Sequence, residues 1–375
     1  MRAGESERRR LHETFAELCA IASPSRSERA CADVVIARLR ALGINVDEDG
    51  AGAALGGDTG NLLARIPGSC EGHVLLCGHL DTVPVAGPID PVVREGAWES
   101  AGETILGADN KVAVATMLTV AERLARVPAR TGVELLFTVG EEVALSGAKE
   151  FEAGRLRSAL GVTFDSAMAL GGIVVASPTY YRLTAEFHGV AAHAGLRPER
   201  GRNAIVAAAH AIASMALGRL DDETTANIGL IEGGTAVNVV AERCRLAGEV
   251  RSIDAARAER VASELADRLA DAANDPRWEC DLDLEVERLF DGYRVRPSSP
   301  ELELAAGALR DCGYEPSQIV TGGGSDANVL RARGLGVLNL ANGTERNHEP
   351  DERVALSSLE GILDVAFALI ERAGA

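Results

Sequence analysis

Gly78-His79-Leu80-Asp81-Thr82-Val83 places an imidazole and a carboxylate directly after an apolar run. That run, residues 73–77, predicts a buried strand. Residues two apart on a strand face the same side of the sheet, so His79 and Asp81 are expected to act together. One of them would bind a metal ion and the other would orient it.

Further carboxylates and a second histidine follow along the chain, each after an apolar run or in a glycine-flanked loop: Asp109, Glu141, Glu142, Asp165 and His348. Taken singly, each has an ordinary explanation, since a Glu-Glu pair is usually a solvated turn and a strand-end histidine is usually a satisfied polar residue. Their order favours a shared site, because ligands of an α/β sheet bind beyond the carboxyl ends of its strands. The sequence therefore predicts a hydrolytic metal site.

The expected chemistry needs two cations about 3.5–4 Å apart, with one shared carboxylate and a bridging water. Asp109 is expected to be the shared carboxylate, because it starts a helix in a loop that Gly107 allows to bend. Two more carboxylates and the two histidines would complete the coordination of the cations: Glu142, Asp165, His79 and His348. Glu141 would then remain to take a proton from the water and pass it to the leaving amine.

Composition disfavours several classes of partner. The net charge of -18 disfavours nucleic acid and anionic membranes. Seven cysteines without a CxxC pair predict a reducing, cytoplasmic environment. Residues 1–10 are charged and no apolar segment follows them, so no signal peptide is expected and a secreted enzyme is disfavoured. No apolar stretch reaches the roughly 18 residues of a transmembrane helix.

The periodicity predicts an α/β catalytic domain, a mixed sheet with helices on both faces, formed by residues 1–177 and 291–375. Residues 178–290 show the order β-α-β-β-α-β, which predicts an inserted ferredoxin-like α+β domain. Length alone allows two domains in 375 residues.

Local patterns also predict individual elements of the first domain. Residues 61–66 and 73–77 are expected to be neighbouring strands, and residues 109–127 a helix. Ser25 and Glu28 have the spacing of a capping box for a helix that runs to about residue 42, and Ser357 and Glu360 have the same spacing at the start of the last helix.

The chain resembles the dinuclear-zinc exopeptidase family of peptidase T, carboxypeptidase G, aminoacylase and succinyl-diaminopimelate desuccinylase. Five segments carry the resemblance in order: His79-Leu80-Asp81-Thr82-Val83, Leu106-Gly107-Ala108-Asp109-Asn110-Lys111, Thr138-Val139-Gly140-Glu141-Glu142, Phe164-Asp165-Ser166 and Asn347-His348. It covers nearly the whole chain. Residues 218–229 and 322–328 are most similar to the peptidase T-like branch.

The resemblance implies a role for each of these residues. One zinc ion would be held by His79, Asp109 and Asp165, and the other by Asp109, Glu142 and His348. Asp81 would orient His79, and Glu141 would be the general base. Co²⁺ or Mn²⁺ could replace Zn²⁺ at such ligands.

Residues of the inserted domain gain roles in the same way. The resemblance implies that residues 178–290 serve as a lid and dimerisation domain. It implies a homodimer formed through this domain, in which His193 reaches a neighbouring active site and stabilises the oxyanion of the tetrahedral intermediate. Asn238 and Arg251 would bind a substrate carboxylate.

A glycine-rich loop of the catalytic domain, with Gly323, Gly324 and Ser325, would line the substrate pocket. The run Glu349-Pro350-Asp351-Glu352 departs from the family pattern, and Pro350 is expected to alter the rim of the pocket.

The expected function is that of an aminopeptidase that releases N-terminal residues from short peptides by metal-activated attack of water on the amide. The same site would also serve a carboxypeptidase or a deacylase of N-acyl amino acids. A non-catalytic scaffold with this fold is the alternative from another class. It is disfavoured because every metal ligand, Asp81 and Glu141 are present.

Overall fold

The computed structural model describes residues 2–375, which form two compact units. The first unit contains the described residues up to Val175 together with Val295–Ala375, and the second is Ala176–Arg294. The expected insertion, residues 178–290, lies within the second unit. Among the described residues, no helix is long and apolar enough to cross a membrane.

The first unit has helices and strands throughout its length. Its helices are α1 Glu5–Cys19, α2 Arg29–Ala41, α3 Ala51–Leu55, α4 Ala108–Leu124, α5 Ser146–Glu150, α8 Pro300–Asp311, α9 Asp326–Ala332 and α10 Leu356–Ala373. Its strands are β1 Val46–Glu48, β2 Leu62–Ile66, β3 His73–His79, β4 Pro91–Arg94, β5 Ala97–Ser100, β6 Gly132–Thr138, β7 Leu160–Ser166, β8 Gly172–Ser177 (whose last two residues belong to the second unit), β15 Ser317–Val320, β16 Gly336–Ala341, β17 Thr344–Glu345 and β18 Arg353–Ala355.

The central sheet has the strand order β1-β2-β6-β3-β7-β16-β8, with β15 beside β8. Strand β3 pairs in parallel with β6 and β7, and β7 pairs in parallel with β16. The prediction that β2 and β3 are neighbours is wrong, because β6 lies between them and pairs antiparallel with β2. The four parallel strands end at one edge of the sheet, where ligands of α/β proteins bind.

Strand β3 lies between β6 and β7 in the sheet, and α4 packs against it. Its residues are apolar because this position buries them. Residues Val74 to His79 are all buried. Helix α4, rich in Ala and Val, is buried over nearly its whole length and contacts α1, α10 and β3. A Cβ on Gly78 would lie only 2.8 Å from the Cβ of Ala113, so glycine allows α4 to pack closely against β3 just before His79.

Three local predictions about helix ends are wrong. Helix α2 begins at Arg29 with Glu28 at the N-cap and no side-chain cap, so Ser25 does not cap it. Helix α10 begins at Leu356 without a side-chain cap, so no capping box forms at its start. Helix α4 ends at Leu124, and Asp109 near its start has non-helical backbone angles.

A second, small sheet of the first unit has the order β17-β18-β5-β4. Its strands β17 and β18 pair antiparallel, Thr344 with Val354. The loop between them, residues 346–352, contains His348, and we call it the His348 loop. His348 has φ 69° and Arg346 has φ 56°, left-handed values that cost energy in a residue other than glycine.

The second unit consists of a sheet and two helices. Its elements are β9 Thr179–His188, α6 Ala204–Ser214, β10 Gly218–Asp221, β11 Thr224–Gly233, β12 Arg243–Ser252, α7 Ala255–Ala273, β13 Asp281–Phe290 and β14 Tyr293–Arg294. The strand order is β10-β11-β12-β9-β13, and α6 and α7 pack on this sheet. Strand β14 is not part of this sheet and pairs antiparallel with the last two residues of β8. Apart from the short additional β10 and β14, this is the predicted β-α-β-β-α-β order. The predicted fold class is therefore confirmed.

The central sheet generates a stability prediction with a matched control. Val74 of β3 is 1% exposed and Val93 of β4 is 49% exposed. We expect Val74→Ala to lower the free energy of unfolding by about 2 kcal/mol, since two buried methyl groups are lost and a cavity remains. The same change at Val93 should cost less than about 0.5 kcal/mol. Chemical denaturation of both variants measures this, and equal losses would contradict the buried position of β3.

Candidate metal centre

Three of the predicted ligands meet at the carboxyl edge of the central sheet. His79 ends β3, Asp165 lies near the end of β7, and Asp109 lies at the start of α4. The Nε2 atom of His79 is 3.3 Å from Oδ1 of Asp109 and 3.6 Å from Oδ1 of Asp165. One imidazole nitrogen therefore faces two carboxylates at a spacing that one cation could bridge.

A second group shares Asp109 and adds two predicted ligands. The Nε2 atom of His348 is 2.9 Å from Oε1 of Glu142 and 3.5 Å from Oδ2 of Asp109. Asn347, for which no role was predicted, donates from Nδ2 to Oδ2 of Asp109 at 2.8 Å. In each group the possible ligand atoms lie within 4.8 Å of one another. The two oxygens of Asp109 thus face the two groups separately.

Unsatisfied polar atoms in the first group fit a cation. Nε2 of His79 and Oδ1 of Asp109 are buried and have no hydrogen-bond partner among the described residues. Buried polar atoms are almost always paired, so two orphaned ligand atoms facing each other indicate that a further group belongs between them. Imidazole nitrogen and carboxylate oxygen are ligands that Zn²⁺ and related ions accept. The residues therefore fit the two-cation arrangement.

Electrostatics of the site point the same way. Burial, followed by the charge of Asp109, raises the pKa of Asp165 well above its usual value. Hydrogen bonds to Asp109 and then to Glu142 raise the pKa of His348 to about 10. Burial also raises the pKa of Asp109, but attraction to the nearby imidazoles of His348 and then His79 outweighs burial, so that the net pKa is lowered. Crowded, buried carboxylates of this kind are stabilised by positive charge.

Asp81 connects His79 to the two glutamates. Strand β3 ends at His79, so Asp81 lies beyond the strand, yet its Oδ1 is 3.3 Å and its carbonyl oxygen 2.9 Å from Nδ1 of His79. The N–H groups of Glu141 and Glu142 donate to the Asp81 carboxylate at 3.0 and 3.1 Å. The predicted pairing of His79 with Asp81 is present, but a turn beyond the strand provides it instead of a shared strand face.

The connection between α1 and α2 also contacts the site, which the sequence analysis missed. Ser25 donates from its hydroxyl to Oδ2 of Asp81 at 2.7 Å. Glu28 is 1% exposed and accepts from the N–H of Gly140, next to Glu141, at 3.0 Å. Ser25 and Glu28, which have capping-box spacing, therefore form hydrogen bonds with residues of the site and do not cap α2. Their spacing is a visible signal, but it equally predicts a local cap.

Glu141 belongs to neither of the two ligand groups that share Asp109, but it lies beside them. It is 8% exposed, and it can also approach His79 and Glu142 within ligand distance. Burial, followed by the charge of Asp165, raises its pKa well above the usual value for glutamate. A carboxylate with these surroundings is suited to accept a proton.

The glycine-rich loop leads into α9 near the end of β6. Gly323 and Gly324 are half-buried, whereas Ser325 is 1% exposed and its side chain takes part in a capping box with Asn328. The hydroxyl of Thr138, the last residue of β6, donates to the buried Asp326. The loop is thus attached to the same edge of the sheet as the metal ligands.

Two of the three predicted substrate residues of the second unit, His193 and Asn238, lie together, and the third, Arg251, lies apart from them. His193 is exposed, forms a bridge with Val239 and lies beside Asn238, whose carbonyl accepts from the N–H of Ala194. Arg251 lies near the C-terminal end of β12, and its guanidinium pairs with the carboxylate of Glu249 at 3.1 Å. Tyr180 lies beneath that guanidinium, 4.2 Å from it.

Two family models match overlapping parts of the chain. The model of the peptidase dimerisation domain, of the M20 type, matches residues 179–276. The model of peptidase family M28 matches residues 61–204. The first match covers most of the second unit, and the second match begins in the strands that precede His79.

Three similar proteins match this chain over nearly its full length. A Bacillus subtilis protein designated YqjE is 35% identical, over 97% of this chain and 98% of that protein. The crystal structure of aminopeptidase PepT from Bacillus cereus is 35% identical, with a TM-score of 0.87 and coverage of 98% and 99%. A tripeptidase structure from Staphylococcus aureus is 32% identical, with a TM-score of 0.91 and 98% coverage of both chains.

The geometry predicts that divalent cations stabilise the fold. At about 100 times the dissociation constant, binding adds about 2.7 kcal/mol per site, so Tm should rise by roughly 5–10 °C when Zn²⁺, Co²⁺ or Mn²⁺ is added to chelator-treated protein. His348→Ala should reduce this rise, because the exposed His348 belongs to one group only. His210→Ala, on the surface of the second unit, is the matched control. Differential scanning fluorimetry measures the shift, and its absence in the parent would contradict the cation site.

Proposed function

The chain belongs to the M20 family of peptidases, the family of peptidase T, and we propose that it is a metal-dependent aminopeptidase that releases N-terminal residues from tripeptides and other short peptides. One observation carries the proposal. Two groups of metal-ligating side chains share Asp109, and a buried glutamate, Glu141, lies beside them. The named activities of the similar structures support the choice of peptide substrates.

In this proposal the predicted ligands divide as the distances suggest. One cation is bound by His79, Asp109 and Asp165, and the other by Asp109, Glu142 and His348. The bound cations would polarise the scissile carbonyl and lower the pKa of water, which the side chains cannot do alone. Two imidazoles and three carboxylates favour zinc, with cobalt and manganese as alternatives.

Glu141 is the proposed general base. It takes a proton from water and later gives it to the leaving amine, and a residue that does both works best with a pKa near the operating pH. Burial in the site raises that pKa from the ordinary value of glutamate. Asp81 positions this residue, since it accepts the backbone N–H of Glu141 while it contacts His79. Base and metal ligand are therefore fixed through one carboxylate.

A homodimer through the second unit is the proposed assembly. Strand β10 pairs with only the first residues of β11, up to Ala226. Beyond Ala226, no described strand pairs with this side of β11. The side chains of Leu230 and Ile231 in this part of the strand are 47% and 51% exposed. Ile205 of α6, 39% exposed, lies next to Gly234 at the end of β11. An unpaired strand edge with exposed apolar side chains beside it is suited to pairing with a second copy of the chain. The match to the model of the peptidase dimerisation domain supports this assembly.

The distance between His193 and Arg251 supports a site shared between two chains. Along β12, Arg243 pairs with His188 and Arg251 pairs with Tyr180, so eight residues, or about 26 Å, separate these two ends. His193 lies at the Arg243 end. A tripeptide spans only about 10 Å. If both residues contact one short substrate, they must come from different chains, with His193 supplied by the second copy to stabilise the oxyanion.

The remaining substrate contacts are proposed for the two ends of the peptide. Arg251, already engaged with Glu249, would exchange that carboxylate for the carboxylate of the substrate. Asn238 lies beside His193, so by the same distance argument it would come from the second copy when it adds a hydrogen bond to that carboxylate. The glycine-rich loop, Gly323 and Gly324 with Ser325 at its end, would line the pocket with its backbone. Ser325 contributes by capping α9, because its side chain is buried.

The cytoplasm is the proposed location. All seven cysteines are free thiols in the described structure, and five of them are buried. Cysteines that form no disulfide are usual for proteins of a reducing compartment. Chemistry that uses short peptides as substrates is compatible with this location.

A panel of substrates tests the proposed activity. Metal-loaded protein is incubated with free tripeptides, N-acetylated tripeptides, C-amidated tripeptides and N-acyl amino acids, and the products are identified by mass. We expect loss of the first residue from free tripeptides and no cleavage after N-acetylation. Loss of the last residue, blocked by C-amidation, would indicate a carboxypeptidase, and cleavage of N-acyl amino acids a deacylase. No cleavage of any substrate by the metal-loaded protein would contradict the proposal.

Glu141→Gln is the control that assigns cleavage to this site. The carboxamide cannot accept the proton, so kcat should fall by about 10²–10⁴-fold. Metal content, measured by plasma mass spectrometry, should stay near that of the parent. Glu150→Gln is the matched change at an exposed glutamate of α5 and should leave kcat unchanged. Full activity of Glu141→Gln protein would remove Glu141 as the base.

Mixing two inactive variants tests the shared site. A dimer of one His193→Ala chain and one Glu141→Gln chain has one complete site, which combines Glu141 of the first chain with His193 of the second. Random exchange should therefore restore about a quarter of the parental activity. A His210→Ala chain, changed at another exposed histidine of the second unit, should be active alone. Differently tagged chains that co-purify without restored activity would rule out a shared site.

A further inference from the structure

Glu352 is buried although the segment around it is exposed. Glu349, Pro350 and Asp351 of the His348 loop are exposed to solvent, whereas Glu352 is only 1% exposed. A glutamate is rarely buried so completely unless its carboxylate has partners. Its partners therefore show why the loop places this side chain inside the protein.

The partners of Glu352 are backbone groups next to the shared ligand. Its Oε2 accepts from the N–H of Gly107 at 2.7 Å, and its Oε1 accepts from the N–H of Asp109 at 2.9 Å. Both bonds connect residues more than 240 positions apart in the sequence. Hydrogen bonds from N–H groups to a buried carboxylate are stronger than neutral ones.

The same loop also contacts the side chain of Asp109. Asn347 donates from Nδ2 to Oδ2 of Asp109 at 2.8 Å, beside His348, whose Nε2 is 3.5 Å from the same oxygen. One loop thus contacts Asp109 at its backbone N–H and at its carboxylate. Neither contact joins strand β17 to strand β18. Glu352 and Asn347 would therefore not need these contacts if they served only to stabilise the hairpin.

We propose that Glu352, together with Asn347, is a positioning residue that sets the affinity of the centre for its cations by fixing Asp109 between the two groups. The proposal rests on the assignment of Asp109 as the shared ligand. Asp109 has no helical hydrogen-bond geometry to hold it, because its backbone angles are non-helical. The carboxylate of Glu352 provides that fixed position, and the His348 loop brings a ligand and the positioning groups to the site together.

Cation affinity of the apoprotein tests this role. Zn²⁺ and Co²⁺ are titrated into chelator-treated parent, Glu352→Gln and Glu349→Gln proteins in competition with a chromophoric chelator. Glutamine keeps the size of the side chain but offers one acceptor oxygen where Glu352 offers two, and its NH₂ faces a backbone N–H. We expect Glu352→Gln to weaken binding by about 10–100-fold. Glu349→Gln removes the same charge from the exposed part of the loop and should bind like the parent.

Two further measurements separate positioning from a general structural role. A purely structural role would lower the Tm of the apoprotein and leave the affinity and the Co²⁺ absorption spectrum unchanged. Positioning predicts a changed Co²⁺ spectrum and a smaller cation-induced rise in Tm. Parental affinity and spectrum in folded Glu352→Gln protein would overturn the proposal.

Asn347→Ala extends the test should Glu352→Gln protein fail to fold. It removes the donor to Oδ2 of Asp109 and leaves the backbone bonds of Glu352 in place. Weaker cation binding by this variant supports positioning by the loop, and parental binding overturns it. A parent protein that binds neither ion would instead overturn the metal assignment itself, so the two failures are distinguishable.

Discussion

The buried carboxylate of Asp81 is the interaction on which the site depends. It is fully buried and accepts hydrogen bonds from the hydroxyl of Ser25 and from the N–H groups of Glu141 and Glu142, while it contacts His79. Burial alone would raise the pKa of Asp81, but its hydrogen bonds outweigh burial and lower the pKa. The anion is therefore held charged in the interior, where removal of any partner leaves it poorly compensated. It joins the end of β3, the turn after β6 and the connection between α1 and α2.

Much of the centre could be predicted from the sequence because its residues follow strands. His79, Glu142 and Asp165 come at or just after apolar runs that form parallel strands of one sheet, so their common edge follows from general rules of α/β folds. His348 follows β16, the fourth parallel strand, through a short hairpin. The alternation of the second unit was likewise sufficient to predict its strands and helices.

The rest required long-range information that local patterns lack. Ser25 and Glu28 have the spacing of a cap, but their side chains bind Asp81 and Gly140, because bonds to buried partners outweigh a local bond that water can replace. The position of β6 between β2 and β3 depends on pairing across distant segments, which periodicity does not encode. In the sequence, Glu352 lies among exposed charged residues and looks like them. Only its hydrogen bonds in the folded protein, such as the one from the N–H of Gly107, distinguish it.

The order of the ligands along the chain gives the centre a direction of assembly during synthesis. His79, Asp109 and Asp165 all precede the second unit, whereas His348 follows it. The N-terminus leaves the ribosome first, and domains fold as they emerge. On the proposed assignment, a chain made only as far as the inserted unit lacks His348 and can complete at most one of the two groups. The complete centre therefore exists only in chains whose synthesis has passed the inserted unit and reached the His348 loop.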